Sequence, residues 1–356
     1  MKILIFLLLI FIISCDPFHA KFEDIETARY YEASKIIEPL SSNELKIMNW
    51  NIKFGGGRID FFFDCYGNNV LMSKDEVYTN MEKLAIKINK ENPDILFIQE
   101  VDINSKRASY INQVQYLLDN TELNYATYAS QWKADYVPSD GIGKVDTGNA
   151  ILSKFPLNNA KRIALPLMTD QDAVTKYFYL KRNILTSEIM WNNEKINLLA
   201  IHTSAYSHDG TKLKQIEILK NKMDEINNNN EAFIAGGDLN TIPPNSDKIK
   251  DFPDSICTNE SFQADDYTED IGILDSFYSD YTPAISQTDY EADNSKYFSH
   301  TTNKNGFWNR KLDYLFTNQN FENGMIHQDI SSGGVETMKL SDHAPLTVTF
   351  SFNGGN

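Results

Sequence analysis

Short apolar runs that end in polar residues recur along the chain, and they constrain its fold more than any other feature. Residues 95–98 (ILFI) are fully apolar, as is typical of a strand buried on both faces. Before them come a capping-box pattern at 73–76 (SKDE) and apolar residues at helical spacing, namely Val77, Met81, Leu84, Ala85 and Ile88. A helix followed by a buried strand predicts layered α/β packing.

The same apolar patterns predict further elements. Strands are expected at 45–51, 150–152, 184–191, 196–202, 233–235, 312–316 and 346–352, and a second amphipathic helix at about 211–227. Residues 16–43 lack clear periodicity, and we interpret 15–43 as a tether with one short helix around 24–37. Residues 241–295 are acidic and weakly periodic, which favours a surface excursion. One domain over 44–356 is the simplest division.

The N-terminus has the features of an export signal. Residues 3–13 contain no polar side chain, and such a run is short for a bilayer span but typical of a signal peptide. It ends Ile12-Ile13-Ser14-Cys15, which resembles a bacterial lipobox. We therefore expect a signal peptide at 1–14 and a lipidated Cys15; the alternative is an uncleaved apolar anchor. Both place the protein in the cell envelope, facing the periplasm or the exterior.

Charge and cysteine content narrow the function classes. The chain has 33 Lys and Arg against 49 Asp and Glu, a formal net charge of −16. That balance argues against a protein that coats nucleic acid, although it allows a local basic cleft. Three cysteines are too few for a disulfide scaffold. With Cys15 lipidated, Cys65 and Cys257 either pair with each other or remain two thiols.

Polar residues of catalytic types stand at the ends of the predicted strands. They are Asn51, Glu100, His202, Asp238, Asn240, Asp313, Asp342 and His343. Their amide and carboxylate oxygens suit Mg²⁺ or Mn²⁺, and the two histidines can transfer protons near neutral pH. Because no Ser or Cys nucleophile motif accompanies them, the set indicates hydrolysis by an activated water.

Seven ordered blocks carry a family resemblance. They read LKIMNWNIKFGG, DILFIQEVD, GNAILSKFP, NLLAIHTSA, GGDLNTIP, RKLDYLFT and SDHAPLTVTF. In this order the chain resembles the endonuclease/exonuclease/phosphatase superfamily over most of residues 45–352. The resemblance implies an α/β fold, a four-layer α/β sandwich in which two packed mixed β-sheets are flanked by helices.

The resemblance also implies a metal site and a substrate contact. Asn51 and Glu100 match the family's metal-binding residues, with Glu100 as the principal carboxylate ligand of Mg²⁺ or Mn²⁺. Asp342 matches an aspartate that holds a second metal or supports the first. Arg182, in KRNIL, falls where some members place a phosphate-contacting arginine.

Five further matches imply the catalytic roles. Asp238 matches the residue that orients or deprotonates the attacking water, and Asn240 the residue that contacts the scissile phosphate. His343 matches the catalytic histidine, which Asp313 would pair with and orient. His202 matches the first histidine of the deoxyribonuclease and sphingomyelinase branches.

These matches predict a Mg²⁺-dependent phosphoester hydrolase. From the lipobox pattern we expect it to be tethered to a membrane, and we expect a monomer. The substrate stays open between nucleic acid, phospholipid head groups and inositol phosphates. A sphingomyelinase-type or inositol-phosphatase-type activity, or a non-catalytic binding lipoprotein of the same fold, is the alternative. Two interpretations of residues 61–63 (FFF) also stay open, a loop that buries its aromatics and an aromatic lip beside the metal. His208, His300 and His327 lack motifs and are expected on the surface or in loops.

Overall fold

The computed structural model describes residues 16–65, 67–254, 265–329 and 336–353. The expected signal peptide at 1–14 and the expected lipidation residue, Cys15, lie outside the described residues, as does Cys257. Cys65 is disulfide-bonded. Among the described helices, none is both long and apolar enough to span a membrane.

The strands and α-helices of the described chain are numbered in chain order. The strands are β1 Ile25–Thr27, β2 Arg29–Glu32, β3 Leu45–Asn51, β4 Ile95–Asp102, β5 Tyr125–Val137, β6 Gly143–Ser153, β7 Asn158–Ala164, β8 Asn183–Trp191, β9 Glu194–His202, β10 Ala232–Asp238, β11 Thr282–Pro283, β12 Asp313–Thr317, β13 Asn320–Ile326 and β14 Leu346–Ser351. The α-helices are α1 Lys74–Glu91, α2 Gln113–Asn120, α3 Ala173–Phe178, α4 Thr211–Asn228, α5 Asp275–Asp280 and α6 Gln287–Ala292.

The strands form two seven-stranded mixed sheets. The first has the order β1-β7-β8-β9-β10-β12-β11, and the second β13-β14-β3-β4-β6-β5-β2. The pairs β9–β10 and β3–β4 are parallel, and the other pairs are antiparallel. The predicted two-sheet architecture is confirmed.

Three apolar cores produce four layers. Between the sheets, Ile47 and Phe97 of one sheet share a core with Leu198 and Ile234 of the other. The expected apolar face of α1 packs on the outer face of the second sheet, and the α4 face packs on the outer face of the first. The capping box at Ser73 is formed, because Ser73 and Glu76 satisfy each other's backbone amides.

Two expectations about irregular segments are wrong. The helix expected around 24–37 is absent; instead β1 pairs with β7 and β2 pairs with β5, so this segment adds an edge strand to each sheet. The folded unit thus extends N-terminal to residue 44. The described part of 241–295 is also not a mere surface excursion, because it buries five aromatic side chains: Phe252, Tyr267, Phe277, Tyr281 and Tyr290.

Strand direction explains why the polar residues meet. The parallel strands β3 and β4 end near Asn51 and Glu100, and the parallel strands β9 and β10 end at His202 and Asp238. Asp313 begins β12, which runs antiparallel to β10. These strand ends, which come from both sheets, therefore lie at one edge of the sandwich.

Candidate active site

Strand register places Asp238 at the centre of the site. In β10 it pairs with His202 of β9 on one side and with Asp313 of β12 on the other. His202 Nε2 lies 3.4 Å from Asp238 Oδ2, and His343 Nε2 lies 3.5 Å from the same oxygen. The buried carboxylate of Asp238 is thus flanked by both predicted histidines.

A glycine makes this approach of the strands possible. Gly237 has φ +148°, and a Cβ there would stand 1.8 Å from the carbonyl oxygen of Ile201. Only glycine avoids that clash. The glycines of the GGDLN block lie within β10 and do not form a turn, and the close strand approach that Gly237 allows sets the position of Asp238.

Glu100 reaches the site through an irregularity in β4. The pairing of β4 with β6 shifts register between Ile98 and Val101, and Glu100 has φ +54°. An extra residue of this kind turns a side chain away from regular strand alternation. Its carboxylate accepts a hydrogen bond from Asn51 Nδ2 at 3.1 Å.

Asn51 connects the two carboxylates. Its Nδ2 also donates to Asp238 Oδ2 at 3.0 Å, while its Oδ1 accepts from the Lys53 backbone amide at 3.0 Å. The amide nitrogen, and not the oxygen, faces Glu100. Asn51 therefore becomes an oxygen ligand at this place only if its amide group rotates.

The predicted His343–Asp313 pair is formed. His343 Nδ1 lies 2.8 Å from Asp313 Oδ2. Asp313 also accepts hydrogen bonds from Ser299 Oγ at 2.7 Å and from Asn49 Nδ2 at 3.1 Å. Trp50 Nε1 donates to the His343 carbonyl at 2.8 Å, so backbone and ring are both held.

Electrostatics separate the protonation states of His343 and Asp238. Burial alone would lower the pKa of His343, but the carboxylates of Asp313 and Asp238 raise it above its ordinary value. Burial and the nearby Asp313 raise the pKa of Asp238, against the attraction of His343. The pair is a buried carboxylate beside a histidine that retains its proton at neutral pH.

His202 and Asn240 complete this side of the site. Burial and the neighbouring Arg182 lower the pKa of His202 well below its usual range, so it is neutral. Its Nδ1 has no hydrogen-bond partner among the described residues. Asn240 has φ +47°, and its amide nitrogen donates to the Thr203 carbonyl at 3.1 Å.

The donor set fits a divalent cation. Burial and the charge of Asp342 raise the pKa of Glu100. Within the described part of the chain, no ion pair of 4.0 Å or less reaches the Glu100 carboxylate, whereas Lys53 lies 3.7 Å from Asp342. A partly buried carboxylate near another, without a protein cation of its own, suits a hard metal ion bound by oxygen atoms.

His300 is a site residue that the sequence reasoning missed. We expected it in a loop or on the surface, but it is only 8% exposed. Its ring centroid lies 4.4 Å from that of His343, and donor atoms of His300, Asp342 and His343 lie within 4.8 Å of one another. The sequence around His300 carries no motif. Its neighbour Ser299 binds Asp313, but only the structure shows this contact.

A cavity of about 510 Å³ opens above these residues. Glu100, His202, Asp238, Asn240, Asp342 and His343 all line it. So does Arg182, whose Nη1 donates to Gln131 Oε1 at 2.7 Å. Lys53 and Arg58, which the sequence reasoning did not select, add positive charge to the lining. Seven of the nine predicted site residues therefore line one cavity, whereas Asn51 and Asp313 are buried and reach the lining residues Asp238 and His343 through hydrogen bonds.

The aromatic segment at residues 61–63 has features of both interpretations, a loop that buries its aromatics and an aromatic lip. Phe61 is fully buried, whereas Phe62 and Phe63 remain exposed and line the cavity. Phe61 and Phe63 stack at 5.7 Å between ring centroids. The loop thus buries one aromatic and presents two at the opening.

Comparison with known proteins identifies the family and the fold. The model of the Endonuclease/Exonuclease/phosphatase family matches residues 48–343. An endonuclease/exonuclease/phosphatase from Beutenbergia cavernae has a similar structure, with TM-score 0.58 and 16% identity over 88% of this chain and 72% of that one. The human nocturnin catalytic domain with bound sulfate superposes with TM-score 0.55 and 16% identity, over 92% and 97% of the two chains.

A mannosyl-6-phosphatase from Bacteroides thetaiotaomicron gives TM-score 0.52 and 14% identity, over 86% of this chain and 100% of that one. A search of the curated proteins found no match. At these identities the structural similarities show the fold alone. The family match covers most of the chain and both sheets of the sandwich, and the chain therefore belongs to the Endonuclease/Exonuclease/phosphatase family.

Proposed function

We propose that the protein is a Mg²⁺- or Mn²⁺-dependent hydrolase of phosphoesters, and in particular of phosphodiesters. The observation that carries the proposal is the triplet of Asp313, His343 and Asp238, in which His343 contacts one carboxylate at 2.8 Å and faces the other at 3.5 Å. The triplet borders a cavity that also holds the carboxylates of Glu100 and Asp342.

Glu100 and Asp342 would hold the cation, with Asn51 as a further oxygen donor after rotation of its amide. The ion would neutralise charge on the phosphoryl oxygens. Lys53, 3.7 Å from Asp342, keeps the pKa of that carboxyl low against the effect of burial. Asp342 therefore stays ionised and ready to coordinate.

Asp238 would act on the attacking water. Its Oδ1 is fixed by the Asn240 backbone amide at 2.9 Å, and its Oδ2 by Asn51. Because burial raises its pKa toward neutrality, the carboxylate is a stronger base than an exposed aspartate. It would orient a water and accept its proton.

His343 would give a proton to the leaving oxygen or stabilise the charge that develops on the phosphoryl group. Asp313 keeps Nδ1 engaged and leaves Nε2 facing the cavity. A protonated Nε2 supplies both a donor and a positive charge. Asn240 and neutral His202 would contact the phosphoryl oxygens, and the Arg182 guanidinium would add charge.

The charge of the protein and the lining of its cavity favour a small phosphoester as substrate over a long polynucleotide. The net charge is −16, the cations near the site lie inside the cavity, and aromatic side chains form part of its lining. A volume near 510 Å³ is typical of a site for a small ligand.

We also propose, from the lipobox pattern, that the protein is held in the cell envelope by a lipid on Cys15.

The test is release of p-nitrophenol from bis-(p-nitrophenyl) phosphate with Mg²⁺ or Mn²⁺, with and without chelator. Metal-dependent turnover that the Asp238→Asn variant loses is the expected result. Absence of turnover with every phosphoester in a panel of plasmid DNA, RNA, sphingomyelin and inositol polyphosphates would favour the non-catalytic alternative. Turnover undiminished by chelator would refute the metal requirement.

A further inference from the structure

An exposed apolar rim borders one side of the cavity, and the proposed chemistry does not use it. Phe62, Phe63, Val174 and Tyr179 are 37%, 45%, 67% and 41% exposed, and we call these four residues the rim patch. Phe62, Phe63 and Tyr179 also line the cavity. Large apolar side chains that gather around an opening mark an interaction surface, whereas isolated ones do not.

Ring contacts connect the two ends of the rim patch across the cavity wall. The Phe63 ring lies 5.9 Å from Phe54, and the Arg107 guanidinium lies 3.8 Å from the Phe54 centroid and 6.0 Å from that of Trp132. Trp132 lies 6.2 Å from Tyr179. The exposed aromatics thus belong to one continuous wall.

The N-terminal part of the described chain joins the fold at the same rim. The Phe18 ring packs 6.5 Å from that of Tyr177, and the Tyr177 hydroxyl donates to the Asp16 carboxylate. Tyr177 lies two residues before Tyr179 of the rim patch. Asp16 directly follows Cys15, the residue on which we expect the lipid.

We propose that the rim patch docks on the surface of a lipid bilayer, so that the cavity opens toward the membrane. An anchor that ends at Cys15 leaves almost no free chain before Asp16, which is fixed beside the patch. Aromatic side chains favour the membrane–water interface, and a lipid on Cys15 would hold this face of the protein next to the bilayer. This surface role rests on the lipid anchor proposed for Cys15, but it does not depend on whether the cavity turns over a substrate.

The test places a tryptophan at chosen points of the full-length, membrane-attached protein. Val174→Trp and Phe62→Trp are the two rim reporters. Met190→Trp is the matched control, because Met190 is 56% exposed and pairs with Lys195 at the end of the first sheet opposite His202. Each variant is reconstituted in phosphatidylcholine vesicles with plain or brominated acyl chains, and its fluorescence is compared with that of the unmodified protein.

Bromination should reduce the added fluorescence of both rim reporters about two-fold, because interfacial groups enter the head-group region by ~5–10 Å. The Met190→Trp signal should not change. Of the four native tryptophans, Trp50, Trp191 and Trp308 are buried, which keeps the background low. Equal quenching of rim and control reporters, or quenching of neither, would overturn the proposal. Turnover measured on the same vesicles reports separately on the proposed function.

Discussion

His343 Nδ1 lies 2.8 Å from Asp313 Oδ2, although the two residues stand 30 positions apart in the chain. Asp313 begins β12 in the first sheet, whereas His343 lies just before β14 of the second. The contact therefore joins the two sheets of the sandwich at the active-site edge. Ser299 and Asn49 bind the same carboxylate, so the aspartate is fixed before any substrate arrives.

A double-mutant cycle tests this pair. His343→Ala should reduce turnover of a phosphodiester by about 10²–10⁴-fold, the range for loss of a general acid or base. Adding Asp313→Asn should cost little more, because groups that act as a unit are not additive. Steady-state kinetics of the parent, both single variants and the double variant provide the measurement. Losses that simply multiply would show that the two residues work separately.

Glu100→Gln tests the metal site. The substitution keeps the shape but removes the charge that a divalent cation requires, so Mg²⁺ binding should weaken and turnover fall by about 10²-fold or more. Calorimetric titration with Mg²⁺ and kinetics at several Mg²⁺ concentrations measure both effects. Glu122→Gln, at a side chain that is 56% exposed, is the control and should behave as the parent. Unchanged Mg²⁺ affinity in Glu100→Gln would remove Glu100 from the ligand set.

Gly237→Ala tests whether close strand approach positions Asp238. The new Cβ would meet the Ile201 carbonyl oxygen at 1.8 Å, so we expect destabilisation of about 3 kcal/mol or more in denaturant unfolding. Gly141→Ala is the matched control, because Gly141 also has positive φ but has no atom within 4 Å of the position that a Cβ would take. It should cost about 1 kcal/mol through backbone strain alone. Similar losses in the two variants would contradict the role of close packing at Gly237.

His327 gives a prediction for the pH dependence of stability. Its Nε2 contacts Thr347 Oγ1 at 2.8 Å and its Nδ1 lies 3.4 Å from Glu91. Burial lowers its pKa to about 4, against the attraction of Glu91. The unfolded chain therefore binds more protons than the folded one below about pH 6.5, and the free energy of unfolding should fall as the pH drops from 6.5 toward 4.

His327→Gln should flatten that decline between pH 6.5 and 5. Glu91, whose pKa is lowered, loses its own contribution mainly below its ordinary value near 4.5, so the difference between parent and variant in the upper part of the window reports on His327. Urea unfolding at several pH values provides the measurement. His208→Gln, at an exposed position, should retain the slope of the parent. A slope unchanged in His327→Gln would show that other groups cause the decline.

Cys15→Ala tests the proposed lipid anchor. The change should abolish incorporation of labelled fatty acid and alter partitioning between detergent and aqueous phases, because the acyl chains supply most of the membrane affinity. Mass spectrometry of the N-terminal peptide checks processing after residue 14. If the variant partitions as the parent does and carries no lipid in either form, the apolar run at 3–13 is itself the anchor.

The local pattern of apolar residues predicted eight of the fourteen strands and two of the six α-helices in the described part of the chain. The predicted strand at 45–51 is β3 to the residue, and the helix expected at about 211–227 matches α4, Thr211–Asn228. Each of these segments has a continuous apolar run or an apolar face at helical spacing, which is the signal that burial imposes on sequence. The ordered blocks also identified six of the residues that line the cavity, namely Glu100, His202, Asp238, Asn240, Asp342 and His343, because those blocks stand at strand ends.

Edge strands and irregular segments were not predictable in the same way. The strands β1 and β2 are mostly exposed, so they carry no alternating apolar pattern, and only pairing with β7 and β5 makes them strands. The aromatics of 241–295 are buried through contacts with distant elements. Ion pairs with distant residues hold the same segment in place. Arg310, for example, binds Asp254 at 3.0 Å, although the two residues are 56 positions apart in the chain.

The sequence by itself determined which residue types stand at the strand ends, and these types are the basis of the proposal that carboxylates, histidines and a hard metal ion carry the chemistry. Only the tertiary structure decided how they face one another. The register of β9, β10 and β12 set Asp238 between His202 and Asp313, a bulge directed Glu100 into the site, and His300 came to lie against His343. Such contacts depend on the packing of two sheets from distant parts of the chain, and hydrophobic periodicity reports only which face of each segment is buried.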